Sequence, residues 1–260
     1  MYETLEIERS GKLATIWMNR PTVFNAFDEQ LIAELTTACQ ELDADSSVRI
    51  VILAGRGKHF SAGADLNWMK RASQFTHEQN VADARKFAGM LRTLSEMSKP
   101  TIARVQGAAL GGGTGLTAAC DMAIASDDAS FSTSEVKFGI IPSAISPYVL
   151  RAIGPRHALR YFQSAERISA ERALAIGLVG DVVPRDELDA CIGKLADALL
   201  AGGPHAQKAA KDLIAAVNGR KIDDSVSEET AQRIARQRAT DEAKDGIAAF
   251  LDKRPPAWLA

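Results

Sequence analysis

Cysteine is scarce in this chain: Cys39, Cys120 and Cys191 are the three in 260 residues, widely spaced and with no CxxC pair. An odd, scattered set neither staples a secreted fold nor frames a zinc site, and it reads as reduced structural thiols in a cytosolic protein. An excess of either charge is missing as well. The 31 Lys and Arg stand against 33 Asp and Glu, a formal net charge of −2. That balance gives no electrostatic footprint for nucleic acid or an anionic membrane. No apolar run reaches the ~18 residues that a membrane span needs, and "MYETLEIERSGKL" at the start has no signal core. A cytoplasmic protein with no nucleic-acid and no membrane partner is therefore expected. His59, His77, His157 and His205 are scattered without an HxxxH pair, so no metal site is expected. Both phosphate-loop patterns are absent: "GRGKHF" (55–60) has His59 after Lys58, and Leu116 stands where GxGxxG needs its last glycine. Ser61 has no GxSxG elbow around it. Repeats and low-complexity tracts are absent too. What remains is a chain that is 46% hydrophobic and 25% charged, long enough to bury a core as one domain, or as one domain with an appendage.

What is present is a concentration of glycine. "QGAALGGGTGL" (106–116) holds five glycines in eleven residues beside alanine and leucine, with no charge. A flexible linker would be polar. This run instead follows "KPTIARV" (99–105), which reads as a buried strand, and leads into a helix, a setting that brings backbone close to something. A second small-residue loop, "HFSAGADL" (59–66), follows the apolar strand "VRIVILAG" (48–55). Two such junctions facing one cavity present peptide N–H groups unobstructed, and a helix N-terminus adds its dipole. N–H groups aimed at one point make an oxyanion hole; on spacing alone, two ordinary tight turns are the favoured reading.

Elsewhere, "KLATIWM" (12–18) reads as a strand, and Leu31, Ile32, Leu35, Cys39 and Leu42 fall at helical spacing behind Asp28 as N-cap. A longer helix is expected over "HEQNVADARKFAGMLRTLSEMS", and two short strands flank a turn near Asp127 and Asp128. Gly177 suits a helix C-cap and Pro204 a helix start, and 223–251 reads as one charged helix. The layout is α/β or α+β, with a helical C-terminal region.

The wording "FSAGADL", then "QGAALGGGTGL" and "CDMAIAS", resembles the crotonase superfamily, the enoyl-CoA hydratase/isomerase proteins. The likeness continues through "NRPTVFNAF", "FSTSEVKFGIIP" and "RISAERALAIGLVGDVVP", covering nearly the whole chain in order. The resemblance implies a spiral of ββα units over residues 1–200, a helical region over 201–260, and a homotrimer or homohexamer. It implies an acyl-CoA substrate with no permanently bound cofactor. It assigns the N–H groups of Ala64 and Gly112 to the thioester oxygen, and Ala62, Asp65 and Leu66 to the CoA path, mainly through backbone atoms. Where the family's hydratases have two glutamates, this chain has Gly115 at the first position and Glu135 at the second, so Glu135 is the expected acid/base. "NWMKRAS" (67–73) begins a helix over the acyl pocket, with Trp68 and Met69 as apolar walls and Lys70 or Arg71 available to a charged acyl tail. "PSAISPYV" (142–149) sets Ile145 and Tyr148 at the pocket floor, and the local wording resembles bacterial methylglutaconyl-CoA hydratases of leucine and isoprenoid-acid breakdown. The implied activity is hydration of a 2-enoyl-CoA. A Δ3,Δ2-enoyl-CoA isomerase using Glu135 alone, and a non-catalytic acyl-CoA- or RNA-binding scaffold, are the alternatives.

Overall fold

A computed structural model describes residues 2–259 of the chain. Strand β1 (Leu5–Ser10) turns at Gly11, φ +57°, into β2 (Leu13–Met18). The pair is antiparallel, and β2 alternates so that Ala14, Ile16 and Met18 are buried. The sequence reading had one strand here; "LEIERS" is an edge strand with little burial of its own, so its apolar signal is weak. Helix α1 (Glu29–Ala44) starts where the Asp28 carboxylate accepts from the Leu31 amide at 2.9 Å, and its apolar stripe is buried as expected. Glu34 on the same helix accepts from the Glu3 and Thr4 amides, each at 2.8 Å, and from the Thr4 hydroxyl, tying the start of β1 to α1. Strand β3 (Ile50–Gly55), all six residues buried, runs parallel to β2.

Next come α2 (Leu66–Ala72), α3 (His77–Ser95), β4 (Thr101–Val105), β5 (Ala108–Leu110), α4 (Gly112–Ala119), β6 (Met122–Ser126) and β7 (Ser130–Ser132). A 3₁₀ turn at Glu135–Phe138 leads to α5 (Ser146–Ser164), β8 (Ile168–Ser169), α6 (Ala170–Ala175), β9 (Asp181–Val183) and α7 (Leu188–Leu200). A six-stranded sheet has the order β1-β2-β3-β4-β6-β9 and a smaller one the order β5-β7-β8. Thus β4 and β6 lie in the large sheet, β5 and β7 in the small one, and a helix follows each pair. The strands expected around Asp127 and Asp128 are these two, and they belong to different sheets. This is the ββα spiral: these two turns pass from the large sheet, round a corner, into the small one, then through a helix.

The corners stack closely on one another. Gly107, φ +59°, turns the chain between β4 and β5, and a Cβ there would lie 2.5 Å from the Lys58 carbonyl of the preceding turn. His59 Nδ1 accepts from the Ala108 amide at 3.0 Å, pinning the same corner.

The chain divides into two units: residues up to Met97 with Thr101–Lys194, and Ser98–Pro100 with the residues from Leu195 onward. The second unit contains α8 (Pro204–Val217), α9 (Asp224–Arg238) and α10 (Asp241–Leu251). The single helix expected over 223–251 is two, because the Thr240 hydroxyl accepts from the Ala243 amide at 3.2 Å and caps a fresh N-terminus. Among the described residues no helix is long and apolar enough to cross a membrane.

The stacked corner makes a direct test. Gly107→Ala must place a Cβ against backbone in a left-handed conformation, and is expected to cost about 1–3 kcal/mol in urea unfolding. Gly89→Ala in α3, where a Cβ meets nothing within 4 Å, is expected to stabilise by up to ~1 kcal/mol.

Candidate active site

The loop after β3 is hydrogen-bonded by its backbone to two other segments. The Ser61 amide donates to the Ala108 carbonyl at 3.0 Å and the Leu110 amide donates to the Ser61 carbonyl at 2.9 Å, a parallel bridge with Ala109. Three residues on, the Phe27 amide donates to Gly63 and the Asp65 amide donates to Phe27, bridging Phe27 to Ala64. Because the bonds go to the residues flanking Ala64, its own N–H is turned away from Phe27. Ala64 is exposed, and its N–H has no acceptor among the described residues. Gly112 is the first residue of α4, where an N–H has no intrahelical acceptor. Glycine lets the two segments meet: a Cβ on Gly63 would lie 2.9 Å from the Leu110 carbonyl, and one on Gly113 would lie 2.7 Å from that of Ser61.

Glu135 opens the 3₁₀ turn after β7 and reaches back over Gly111, the N-cap of α4, with Oε1 3.1 Å from where a Gly111 Cβ would stand. Its Oε2 is buried with no hydrogen-bond partner among the described residues. Burial holds this carboxyl above its ordinary 4.5, opposed by a bond to its own amide, and no cation contributes. Beside it on α4, Gly115 lies under Ile145, whose Cγ2 is 2.2 Å from the Gly115 Cβ position. The Gly112 Cβ position is closed by Phe27 and Phe87, at 2.8 and 3.0 Å, and Phe87 continues edge-on to Trp68 of α2. Ala64, Gly112 and Glu135 are thus brought to one end of α4, with Trp68 and Ile145 around it. Tyr148 is half-buried one turn into α5. Leu66 is 81% exposed at the start of α2.

Several residues that hold this arrangement are silent in the sequence. Arg20 joins Asp28 at 2.8 Å and Asp65 at 3.2 Å, and also donates to the Ala26 carbonyl. Asn25, φ +55°, accepts from the Arg20 amide and donates to the Arg56 and His59 carbonyls, all at 2.9 Å. The string "NRPTVFNAF" signals them only through Asn and Arg set among apolar residues. The Asp65 carboxylate caps α2, accepting from the amides of Asn67 and Trp68. Burial pushes its pKa up, but those two amides and Arg20 outweigh this and hold it below 3.8. The Asp65 amide donates to Phe27 and its carbonyl accepts from the Met69 amide, so side chain and backbone both hold the loop. His59 accepts through Nδ1, so its ring is neutral. Burial, then Lys58 and Arg185, hold its pKa below 6.5. Arg71 makes two bonds to Glu29, leaving Lys70 as the uncommitted cation of the pair named in the sequence. Ala62 lines a cavity of about 310 Å³ together with Phe24, Lys58, Leu110 and Arg167. No group of His, Cys, Asp or Glu that could hold a metal occurs among the described residues.

A family profile described as enoyl-CoA hydratase/isomerase matches residues 8–260. The chain is 35% identical over 266 residues to the crotonyl-CoA hydratase of Syntrophomonas wolfei, covering 100% of this chain and 99% of that one. It is 35% identical to the short-chain-enoyl-CoA hydratase of Clostridium acetobutylicum, over 95% and 94% of the two chains. A crystal structure of an enoyl-CoA hydratase from Shewanella pealeana superposes with a TM-score of 0.96 at 41% identity, covering 98% of this chain and 96% of that one. The chain belongs to the enoyl-CoA hydratase/isomerase family, the crotonase superfamily, and is an enzyme of that family.

The Asp65 cap carries a stability prediction. Asp65→Ala removes the cap and one partner of Arg20 and is expected to cost about 1–3 kcal/mol at pH 7 in urea unfolding. The folded pKa lies below 3.8, so the contribution is complete above that value and is lost as pH falls through the folded pKa. The gap between wild type and variant should therefore narrow on acidification.

Proposed function

We propose that the protein is an enoyl-CoA hydratase, a lyase that adds water to a 2-enoyl-CoA thioester. The observation that carries this reading is the buried Glu135 carboxylate, its Oε2 without a partner, beside a helix start whose first N–H is free. The thioester oxygen lies between the N–H groups of Ala64 and Gly112. Glu135 takes a proton from water, the hydroxyl bonds to C3, and the C2–C3 π pair moves into an enolate whose negative oxygen the two N–H groups hold. The enolate then collapses, and Glu135 returns its proton to C2, so one group serves as base and then acid. Each oxyanion donor contributes ~3 kcal/mol to such a step, and the α4 dipole acts in the same direction. A carboxyl raised by burial suits the task, since it binds a proton more readily than an exposed one.

The CoA path in this reading runs past Ala62, Asp65 and Leu66. Lys58 and Arg167 on the cavity beside Ala62 bring positive charge for phosphates. The acyl group we propose is 3-methylglutaconyl, as in leucine or isoprenoid-acid catabolism. Trp68, Ile145 and Tyr148 face its branched chain. No resident cofactor enters the reaction. Assembly as a trimer or a pair of trimers in the cytoplasm completes the reading. Exposed Phe138, Ile140 and Ile141 in the first unit, and Phe250 and Leu251 in the second, offer apolar surface for it. Gly115 favours one rival reading: a single carboxylate suffices to carry a proton from C2 to C4 in a Δ3,Δ2 isomerase.

Mass separates the two reactions when purified protein meets a panel of acyl-CoAs. Hydration adds one water, whereas isomerisation leaves the mass unchanged, and a panel with only unchanged masses overturns the hydratase reading. Glu135→Gln is expected to lower kcat by on the order of 10²–10⁴ with KM little changed. In wild type, kcat should fall as pH drops through the raised pKa, because protonated Glu135 cannot accept water's proton. The folded state keeps that proton above 4.5 where the unfolded chain has released it, so Glu135 weakens stability as pH rises. Glu135→Gln should therefore unfold no earlier than wild type at pH 7, and a variant with full turnover would remove Glu135 from the chemistry. Sedimentation should give a trimer or hexamer at micromolar concentration, and a stable monomer would contradict the proposed assembly.

A further inference from the structure

Two side chains close over the first turn of α4. Glu135 covers Gly111 and Ile145 covers Gly115. The Gly115 amide donates to the Gly111 carbonyl at 3.1 Å, so the two glycines are joined by the first turn of the helix. Ile145 is held there by its own backbone: its carbonyl accepts from the Tyr148 and Val149 amides at the start of α5, and Pro147 fixes that start. The side chain is 2% exposed. Its Cγ2 and Cβ are 2.2 and 2.8 Å from the Gly115 Cβ position, while its Cα is 3.7 Å away, an ordinary contact. Any side chain at 115 therefore collides with Ile145, and the collision ends only if residue 145 has no Cβ.

We propose that Ile145 is the specificity-determining residue of this site: seated on Gly115, one helical turn from Gly111 under the Glu135 carboxylate, it bars every side chain from position 115 and sets the room for the acyl chain beyond C3. This rests on the acyl-CoA reading above, in which the thioester oxygen sits at the first residue of α4 and the acyl chain passes Glu135. Two consequences follow. Glu135 has no neighbouring acid to share its proton, because Ile145 keeps one out. A β-branched residue, stiff at χ1, gives the chain a fixed apolar wall in place of an adaptable one.

The test uses the purified full chain, with binding measured by calorimetry on saturated butyryl-CoA and hexanoyl-CoA, which need no turnover. Ile145→Gly is expected to shift the ratio of the two dissociation constants about tenfold towards hexanoyl-CoA. A merely structural loss would weaken both ligands alike and leave the ratio within about twofold, which overturns the proposal. Thermal melting gives the second arm. Gly115→Ala should lower Tm in the wild-type background and leave it level or raise it in the Ile145→Gly background, a non-additive pair. Equal melting of Gly115→Ala and wild type would also overturn it. Neither arm reads hydration, so an inactive wild type that still shows the ratio shift and the coupling would refute the hydratase reading and leave the pairing standing.

Discussion

Backbone meeting backbone, with no side chain between, is the constraint on which the site depends. The loop after β3 touches the corner into α4 through Ser61 and Ala109, and it touches the segment before α1 through Phe27 and Ala64. Gly63 and Gly113 stand where a Cβ would strike the opposing carbonyl. Those contacts turn the Ala64 N–H outward and bring it to the helix start that begins at Gly112. The sheet strands supply the rigid part: β3 and β4 are parallel neighbours, so the loops at their ends are neighbours too. Rigid elements carrying short loops hold N–H groups in place, which is what stabilisation of a developing charge requires.

The carboxylates show where the fold spends its hydrogen bonds. Glu34 receives two amides, a hydroxyl and the Gln30 side chain. Asp65 receives two amides and Arg20, and Asp28 caps α1 while pairing with Arg20. In each case the charge is held by donors, which is how buried charge is tolerated. Glu135 departs from this: its buried Oε2 has no partner and burial alone dominates its proton affinity. An unsatisfied buried group costs stability, and proton transfer is a use that accounts for it.

Much of this was legible in the sequence, for physical reasons that differ from element to element. Strand β3 was legible because six consecutive buried residues leave a continuous apolar run, and α1 because Asp28 and its apolar stripe carry both cap and period. The two small-residue loops were legible as close approaches, although spacing alone favoured plain tight turns, and naming their use took the family resemblance. Strand β1 was not, since an exposed edge needs no apolar face. The break at Thr240 was missed because the charged pattern continues across it, and a single hydroxyl decides the boundary. Arg20 and Asn25 act through bonds to residues up to 45 positions away, which no local pattern encodes. The contact between Gly115 and Ile145 is of the same kind. Gly115 read as a missing acid, and the packing shows its position filled by Ile145, the N-cap of α5.

The central claim is that the Ala64 and Gly112 N–H groups receive the thioester oxygen while Glu135 faces the acyl carbons. A crystal structure with a bound, unreactive acyl-CoA analogue tests this most directly. The account predicts the carbonyl oxygen within ~2.7–3.1 Å of both nitrogens, with the Glu135 carboxylate beside C2 and C3. An oxygen bound by other donors, or an acyl chain lying away from Glu135, would contradict it.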